Sequence, residues 1–248
     1  MICIERIAFS YGKNQIFNSL SASLNDGRIT ALIGPNGSGK STCLWLCAGL
    51  LKPSGGRISI DSRDIREYRP RELARQLAFL PQSRPVPMIT VRSLVESGRF
   101  PYLGISRRPS AADTEAVNEA MELTGISALA GRELRTLSGG ERQKAYIAML
   151  VAQGAHHLLL DEPTTFLDIN HKLELMQLMQ KLSAAGKCIA MVLHDIDLAA
   201  EFCDEAIVMQ AGSIIHTGKA ALLPSSGALQ QAYSVEPIPY SGLRFRRI

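Results

Sequence analysis

Over the first 62 residues, apolar and polar positions alternate in short runs with a period of two. "ICIERIAFS", "IFNSLSASL" and "GRISIDS" carry this pattern and predict half-exposed strands in antiparallel pairs. Gly-Lys-Asn and Asn-Asp-Gly stand where turns are needed between them. "RITALIG", lying among these runs, is almost continuously apolar, as a strand covered on both faces must be, and it leads into a glycine-rich turn and an apolar helix. Two later runs have the same buried character: "HLLLD", ending at Asp161, and "CIAMVLHD", ending near Asp195. Between them "INHKLELMQLMQKLSAAGK" sets Leu175, Leu178, Met179 and Leu182 on one helical face and closes on Gly186. Strand, helix and strand at this spacing predict a right-handed crossover and a parallel sheet.

From about Ser83 to Arg135 strand character disappears. "SAADTEAVNEAMELTG" opens on Ser110 and Asp113 as a capping box and closes on Gly125, so a mostly helical insert is expected to interrupt the α/β body. After about Ala220 the chain reads as a helix followed by a polar end, "LRFRRI", which has no functional reading.

Composition narrows the classes. Hydrophobic residues make up 46% of the chain, enough for a core and against disorder. The longest nearly apolar run, "CLWLCAGLL" at 43–51, falls far short of the ~20 residues of a membrane span. "MICIERIAFSYG" lacks the basic and apolar regions of a secretory signal, so a cytoplasmic location is expected. The five cysteines include no CxxC pair. Cys43 and Cys47 stand four apart on one helix, but with no second pair they read as small buried apolar residues rather than half a metal site. Met176 and Met179, at helical spacing, read as core. A net charge of +4 suits an anionic ligand and is too weak to argue for nucleic acid.

"GPNGSGKST" fits G-x-x-x-x-G-K-[ST] with Gly34, Gly39, Lys40 and Ser41, and it follows a buried strand and opens a helix as phosphate binding requires. Along Gly34, Pro35, Asn36, Gly37, Ser38, Gly39 and on to Thr42, the backbone N–H groups of every residue but Pro35 can cradle phosphates at the positive end of the helix. Lys40 supplies a point charge between the β- and γ-phosphates, and the Ser41 hydroxyl is placed for Mg²⁺. A tight strand-to-helix turn alone would need neither the lysine nor the serine. "HLLLDEP" carries Asp161 to the carboxyl end of a strand, where ligands bind in open α/β sheets, so it can hold Mg²⁺ directly or through water. Glu162, directly after it, suits water activation. His194 ends the third buried strand and should reach the same edge, to bond a γ-phosphate oxygen or orient the Glu162 water. His156, His157, His171 and His216 have no such context and are expected at the surface.

"LRTLSGGERQ" raises a separate question, since one phosphate loop already suffices for a nucleotide. Ser138, Gly139 and Gly140 lead into the helix "ERQKAYIAMLVAQ" and so offer a second set of bare N–H groups to an anion. An ordinary capping serine with turn glycines would look the same. If the turn does bind phosphate, it lies on the helical insert, away from the chain's own phosphate loop.

Taken together, "GPNGSGKST", "LSGGERQ", "LLLDEP", "FLD" and "LHD" occur in the order of the ATP-binding cassette (ABC) ATPases, a family this chain resembles over nearly its whole length. The resemblance implies a P-loop NTPase core with a mostly parallel sheet, an N-terminal antiparallel β subdomain and a helical subdomain insert. These form one domain: about 1–82 and 150–220 in the core, about 83–149 in the insert and 221–248 as a tail. It also implies ATP and Mg²⁺ as cofactors and a head-to-tail dimer in which each signature turn closes on the ATP held by the other copy. Glu162 then matches the catalytic base and His194 the switch histidine. Tyr11 resembles the adenine-stacking aromatic, and Asp168 the D-loop aspartate at the dimer seam. Gln82 resembles the Q-loop residue that touches Mg²⁺ and the attacking water and senses the membrane partner. The insert from Ser83 to Ser106 is the expected dock for a short helix of that partner.

"GRFPYLG" at 98–104, "EPTTFLDINHKLELM" at 162–176 and "YSVEPIP" resemble the uptake ATPases for iron–siderophores, ferric citrate, haem and cobalamin, with an iron chelate favoured. That branch implies separate polytopic permease subunits, a periplasmic or lipoprotein substrate-binding protein acting indirectly, and a place on the cytoplasmic face of the bacterial inner membrane. Three alternatives stand beside that branch. One is a non-transport ABC ATPase acting on DNA or ribosomes, though such proteins usually carry tandem cassettes or a long coiled-coil insert. The others are a plain P-loop kinase or switch, against which the signature turn and His194 argue, and an exporter with separate membrane subunits. Glu141 and Lys144 stand where many members carry Gln and Arg, and Cys43 where Leu is usual. None of these removes a catalytic group. His156-His157 has no counterpart in the family pattern.

Overall fold

A computed structural model of the chain describes residues 1–104, 108–165 and 167–234. Phe166 of "FLD", residues 105–107 of the insert, most of "YSVEPIP" and all of "LRFRRI" lie outside the described residues.

The period-two segments form one antiparallel sheet. β1 (Ile2–Tyr11) and β2 (Asn14–Leu24) make a hairpin over Gly12, whose φ of 58° is left-handed. After β3 (Ile29–Ile33) and α1 (Lys40–Cys47), β4 (Gly55–Ile60) returns to pair with β1, and the two-residue β5 (Arg63–Asp64) extends that edge. β3 belongs to a second sheet, shared with β6 (Leu77–Leu80), β7 (His157–Leu160), β8 (Cys188–Val192), β9 (Glu205–Gln210) and β10 (Ser213–Lys219). Its order is β10-β9-β3-β8-β7-β6, parallel throughout except for the β9–β10 hairpin.

Alternation along the parallel strands sorts their side chains to two faces. Ile29, Ala31 and Ile33, Leu158 and Leu160, and Ile189 and Met191 pack against helices α3 (Val91–Ser97), α4 (Ala111–Leu123), α5 (Gly139–Ala152), α6 (Ile169–Ala184) and α7 (Ile196–Phe202). Leu32, Leu159, Ala190, Val192, Ile207 and Met209 face the antiparallel sheet and enclose Cys43, Leu44 and Cys47 of α1 between the two sheets. Both cysteines are therefore core residues, as are Met176 and Met179 of α6. Gly186 follows α6 with φ 93°, and Ser110 and Asp113 cap each other reciprocally at the start of α4.

Three strands carry no clear signal in the sequence. β6 follows directly on α2 (Pro70–Gln76), with no turn residue between them. The β9–β10 hairpin turns on Ala211 and Gly212, with φ of 45° and 76°, so an alanine sits where Asn or Asp would announce the turn. α8 (Ala228–Tyr233) then packs beside this hairpin.

That hairpin backs the phosphate loop. Gly212 N donates to Ser38 O at 3.2 Å, and a Cβ on Gly212 would lie 1.8 Å from Ile16 O. Gly212→Ala must carry left-handed strain of about 1–2 kcal/mol and also push β2 away from the loop. An equilibrium urea titration should show a loss of roughly 2–4 kcal/mol; a change under about 0.5 kcal/mol would show that this approach is not required.

Candidate functional site

Parallel pairing brings the carboxyl ends of β3, β8, β7 and β6 to one edge, and the residues that follow these strands converge there. β3 runs into the turn Gly34-Pro35-Asn36-Gly37-Ser38-Gly39, and α1 starts at Lys40 with Gly39 as its cap. The glycines are forced by packing as well as by conformation. A Cβ at Gly34 (φ 151°) would lie 2.1 Å from Met209 O, and one at Gly39 (φ 103°) would lie 2.6 Å from the Phe17 ring. A cavity of about 230 Å³ opens over this turn, lined by Ile16, Asn36, Gly37, Gly39, Lys40, Ser41, Thr42 and Glu162. Pro35 and Ser38 belong to the turn without lining the cavity.

Lys40 is buried, and its ammonium donates to Gly34 O (2.7 Å) and Pro35 O (2.9 Å). Burial lowers its pKa, and the carboxylates of Glu162 and Asp161 partly offset that shift. Ser41 Oγ donates to Asp161 Oδ1 at 2.9 Å, which joins the phosphate turn to the end of β7. Two adjacent hard oxygen donors, one of them a carboxylate 1% exposed, form a donor set that suits a divalent cation such as Mg²⁺.

The two acids after β7 differ in environment. Burial pushes the Asp161 pKa up, aided by the charge of Glu162 and opposed by the Ser41 hydrogen bond, Lys40 and His194. Glu162 also meets a desolvation cost, but the hydrogen bonds it accepts outweigh it and hold its pKa below the ordinary value. His194 Nε2 donates to Glu162 Oε1 at 2.8 Å, and Gln82 Nε2 (2.7 Å) and Thr165 Oγ1 (3.0 Å) both donate to Oε2. A carboxylate offers about four acceptor sites, so one remains for a water. Glu162 itself has φ 50°, a left-handed conformation that costs a non-glycine residue about 1–3 kcal/mol.

The remaining candidates are more scattered. Tyr11 ends β1, 44% exposed and edge-on to Phe9, outside the lining of the cavity. Asp168 caps α6, accepts from His171 N and pairs with His171 Nδ1, each at 2.9 Å. Ser138 caps α5 in a reciprocal box with Glu141, which leaves the N–H groups of Gly139 and Gly140 without intrahelical acceptors. None of these three residues lines the cavity over the chain's own phosphate turn. Gly140 instead abuts His171, whose ring a Cβ there would meet at 2.9 Å.

Among the histidines, His157 departs from expectation. It is fully buried rather than at the surface, because β7 turns it toward the antiparallel sheet and Nδ1 donates to Gln76 O at 3.1 Å.

Sequence reasoning passed over four residues of this region. Thr165 holds Glu162. Gln143 of α5 donates to Pro163 O (2.7 Å) and accepts from Arg84 (2.6 Å), so the residue next to Glu162 is tied to the helix behind the second glycine turn. Tyr233 of α8 accepts from Gly34 N at 3.0 Å. Gln143 and Thr165 both lie inside stretches singled out in the sequence, Thr165 only three residues from its partner Glu162, but neither has a role in the sequence reading. Arg84 and Tyr233 have no local signal, because their partners are distant in the chain.

The opposed environments of the two acids have a pH consequence. A raised carboxyl pKa means the fold prefers protonated Asp161, so its contribution is lost as pH rises past the ordinary 3.8. Glu162 behaves oppositely, stabilising above 4.5 and losing that contribution as pH falls through its lowered value. Asp161→Asn keeps the acceptor for Ser41 and removes the buried charge. Calorimetry at pH 7 without nucleotide should find its Tm higher by roughly 2–4 °C, about 1 kcal/mol at this size, with the gain vanishing in acid; an unchanged or lower Tm at pH 7 would refute it.

Residues 17–165 match the family model for the ABC transporter. The chain is 39% identical over 233 residues to the ferric enterobactin transport ATP-binding protein of Escherichia coli (strain K12), covering 93% of this chain and 86% of that protein. It is likewise 39% identical over 244 residues to a petrobactin import ATP-binding protein of Bacillus anthracis, covering 98% and 90%. Among solved structures, the dimeric structure of a bacterial ABC transporter cassette superposes with a TM-score of 0.79 at 27% identity, covering 89% of this chain and 99% of that one. With the family's phosphate turn, acidic strand end and second glycine turn all in place, the chain belongs to the ABC transporter family as one of its ATP-binding ATPases.

Proposed function

We propose that this ATPase powers an importer for an iron chelate, a ferric siderophore or ferric citrate, working as a head-to-tail dimer beneath separate membrane permease subunits. The observation that carries the dimer reading is the position of Ser138, Gly139 and Gly140, which present free N–H groups yet stay outside the cavity over their own phosphate turn. A second copy supplies the phosphates for them, with Asp168 at the seam. The relatives' names, ferric enterobactin transport and petrobactin import, support the iron-chelate reading. Haem or cobalamin import, or a non-transport role, is the alternative. Among the described residues no helix is long and apolar enough to cross a membrane, so the reading places the chain at the cytoplasmic face through its permease, with a substrate-binding protein acting on the far side.

In this reading the turn from Gly34 to Thr42 cradles the phosphates of ATP and Tyr11 stacks on its adenine. Lys40 leaves Gly34 O and Pro35 O to pair with the β- and γ-phosphates. Ser41, Asp161 and Gln82 would hold Mg²⁺, which would supply positive charge against the phosphates. Glu162 orients and deprotonates the attacking water, with His194 and Gln82 fixing its carboxylate. The subdomain boundaries read from the sequence, with the insert at about 83–149, set the helical part against the permease.

Two variants separate the steps. Glu162→Gln should retain ATP binding, lose turnover by about 10²–10⁴-fold and accumulate as an ATP-bound dimer in size-exclusion chromatography. Ser138→Arg should bind ATP as a monomer with unchanged affinity and neither pair nor hydrolyse. A Ser138→Arg protein that dimerises and turns over normally would overturn the paired site.

The ligand is tested by uptake. Cells depending on this protein as their ATPase should take up labelled ferric siderophore or ferric citrate, and lose that uptake with Glu162→Gln. Uptake of cobalamin or haem instead would reassign the cargo, and uptake of nothing would favour the non-transport role.

A further inference from the structure

At the amino ends of the same strands, opposite the nucleotide edge, a second cluster has formed that the ATPase chemistry does not use. His157 begins β7 and Cys188 begins β8; they are direct register partners, fully buried, on the face turned toward the antiparallel sheet. Asp26, in the turn between β2 and β3, closes over them. One ligand atom from each of Asp26, His157 and Cys188 lies within 4.8 Å of the other two. Asp26 Oδ1 is 3.6 Å from His157 Nε2. Metal–ligand bonds of 2.0–2.3 Å in a tetrahedron set ligand atoms roughly 3.3–3.6 Å apart, so the cluster needs only a modest contraction.

Hydrogen bonding sets the histidine for ligation. Gln76 O can only accept, so His157 Nδ1 carries the proton. The Nε2 lone pair is turned to the Met1 ammonium at 3.2 Å, beside Asp26 Oδ1 at 3.6 Å, where an incoming ion would take the ammonium's place. A ring N–H fixed on a backbone carbonyl is the usual outer support of a metal-bound histidine. The surroundings favour a cation. Burial above all, with the carboxylates of Asp26, Asp61 and Glu205 added and the Met1 ammonium opposed, pushes the Cys188 thiol up to about 12, so only a bound cation would hold it as the thiolate. That ammonium itself donates to Asp26 Oδ1 (2.6 Å) and Asp61 Oδ1 (2.7 Å) and stands 3.2 Å from His157 Nε2. His156 Nε2, also partly exposed, is 3.1 Å from Asp26 Oδ1. Asp26 is 46% exposed, which gives the buried pair a route to solvent.

We propose that Asp26, His157 and Cys188 form a binding site for a borderline-soft divalent ion of the Zn²⁺ class, with His156 or the Met1 amine as fourth ligand. The mix of thiolate, imidazole and carboxylate selects such an ion over Mg²⁺ or Ca²⁺. Ligation takes Cys188 as the thiolate and, where Met1 is the fourth ligand, its ammonium as the neutral amine, each releasing one proton to solvent. The ion would clamp the starts of β7 and β8, whose other ends carry Asp161, Glu162 and His194.

Co²⁺ is the probe, because only a thiolate ligand gives it a near-ultraviolet charge-transfer band. The purified full chain titrated with Co²⁺ should develop that band at one ion per chain, lose it to added Zn²⁺, and rise in Tm with Zn²⁺. Cobalt held by Ser41 and Asp161 has no thiolate and stays silent in this band. Cys188→Ser should abolish the band while Cys43→Ser keeps it. Asp26→Asn, checked for an unchanged circular dichroism spectrum, should weaken Co²⁺ binding by at least about tenfold. Absence of the band in the wild-type chain, its persistence in Cys188→Ser, or unchanged affinity in Asp26→Asn would overturn the site and leave the Met1 ammonium as the only cation of the cluster.

Discussion

Everything at the nucleotide edge depends on the parallel register of β3, β8, β7 and β6. In a parallel ladder all strands end on the same side, so whatever follows each strand is delivered to one line of loops. The phosphate turn follows β3, His194 follows β8, Asp161 and Glu162 follow β7, and Gln82 follows β6. Backbone bonds carry that alignment past the strand ends, from Asp161 N to Leu80 O (2.8 Å) and from Leu193 N to Leu32 O (3.2 Å). Burial on both faces keeps the register from slipping, because a shift of one residue would exchange the side chains of the two cores.

Within that frame, two neighbouring carboxylates acquire different chemistry. Asp161 is enclosed by the fold and faces a hydroxyl and an ammonium, and burial still pushes its pKa up. Glu162 is turned out by a left-handed backbone and met by three donors, so it stays ionised. Environment rather than residue type separates the two roles, as it does wherever paired acids divide labour. Gln143 extends the frame outward by joining Pro163, beside Glu162, to the helix that begins at the second glycine turn. A movement of that helix therefore reaches the end of β7 through a direct hydrogen bond.

The same ladder has an opposite end, where His157 and Cys188 meet under Asp26. One sheet thus collects titratable groups at both edges, polar loops at its carboxyl side and a buried pair at its amino side.

Much of this was set by the sequence alone. Period-two alternation specified the antiparallel strands, continuous apolar runs specified the buried ones, and local capping chemistry specified the ends of α4 and α6, because each depends on residues within a few positions. The phosphate turn was legible for the same reason, since its glycines, lysine and serine are contiguous. Tertiary structure alone decided that Gln82 would hold Glu162, that Tyr233 would bond Gly34 N, and that His157 would be buried rather than exposed. It also decided where β6, β9 and β10 run, since their pairing partners, not their own turn residues, make them strands. These are contacts between residues as much as 199 positions apart. No local pattern encodes them; they follow only once packing the two apolar faces has fixed which strands lie side by side.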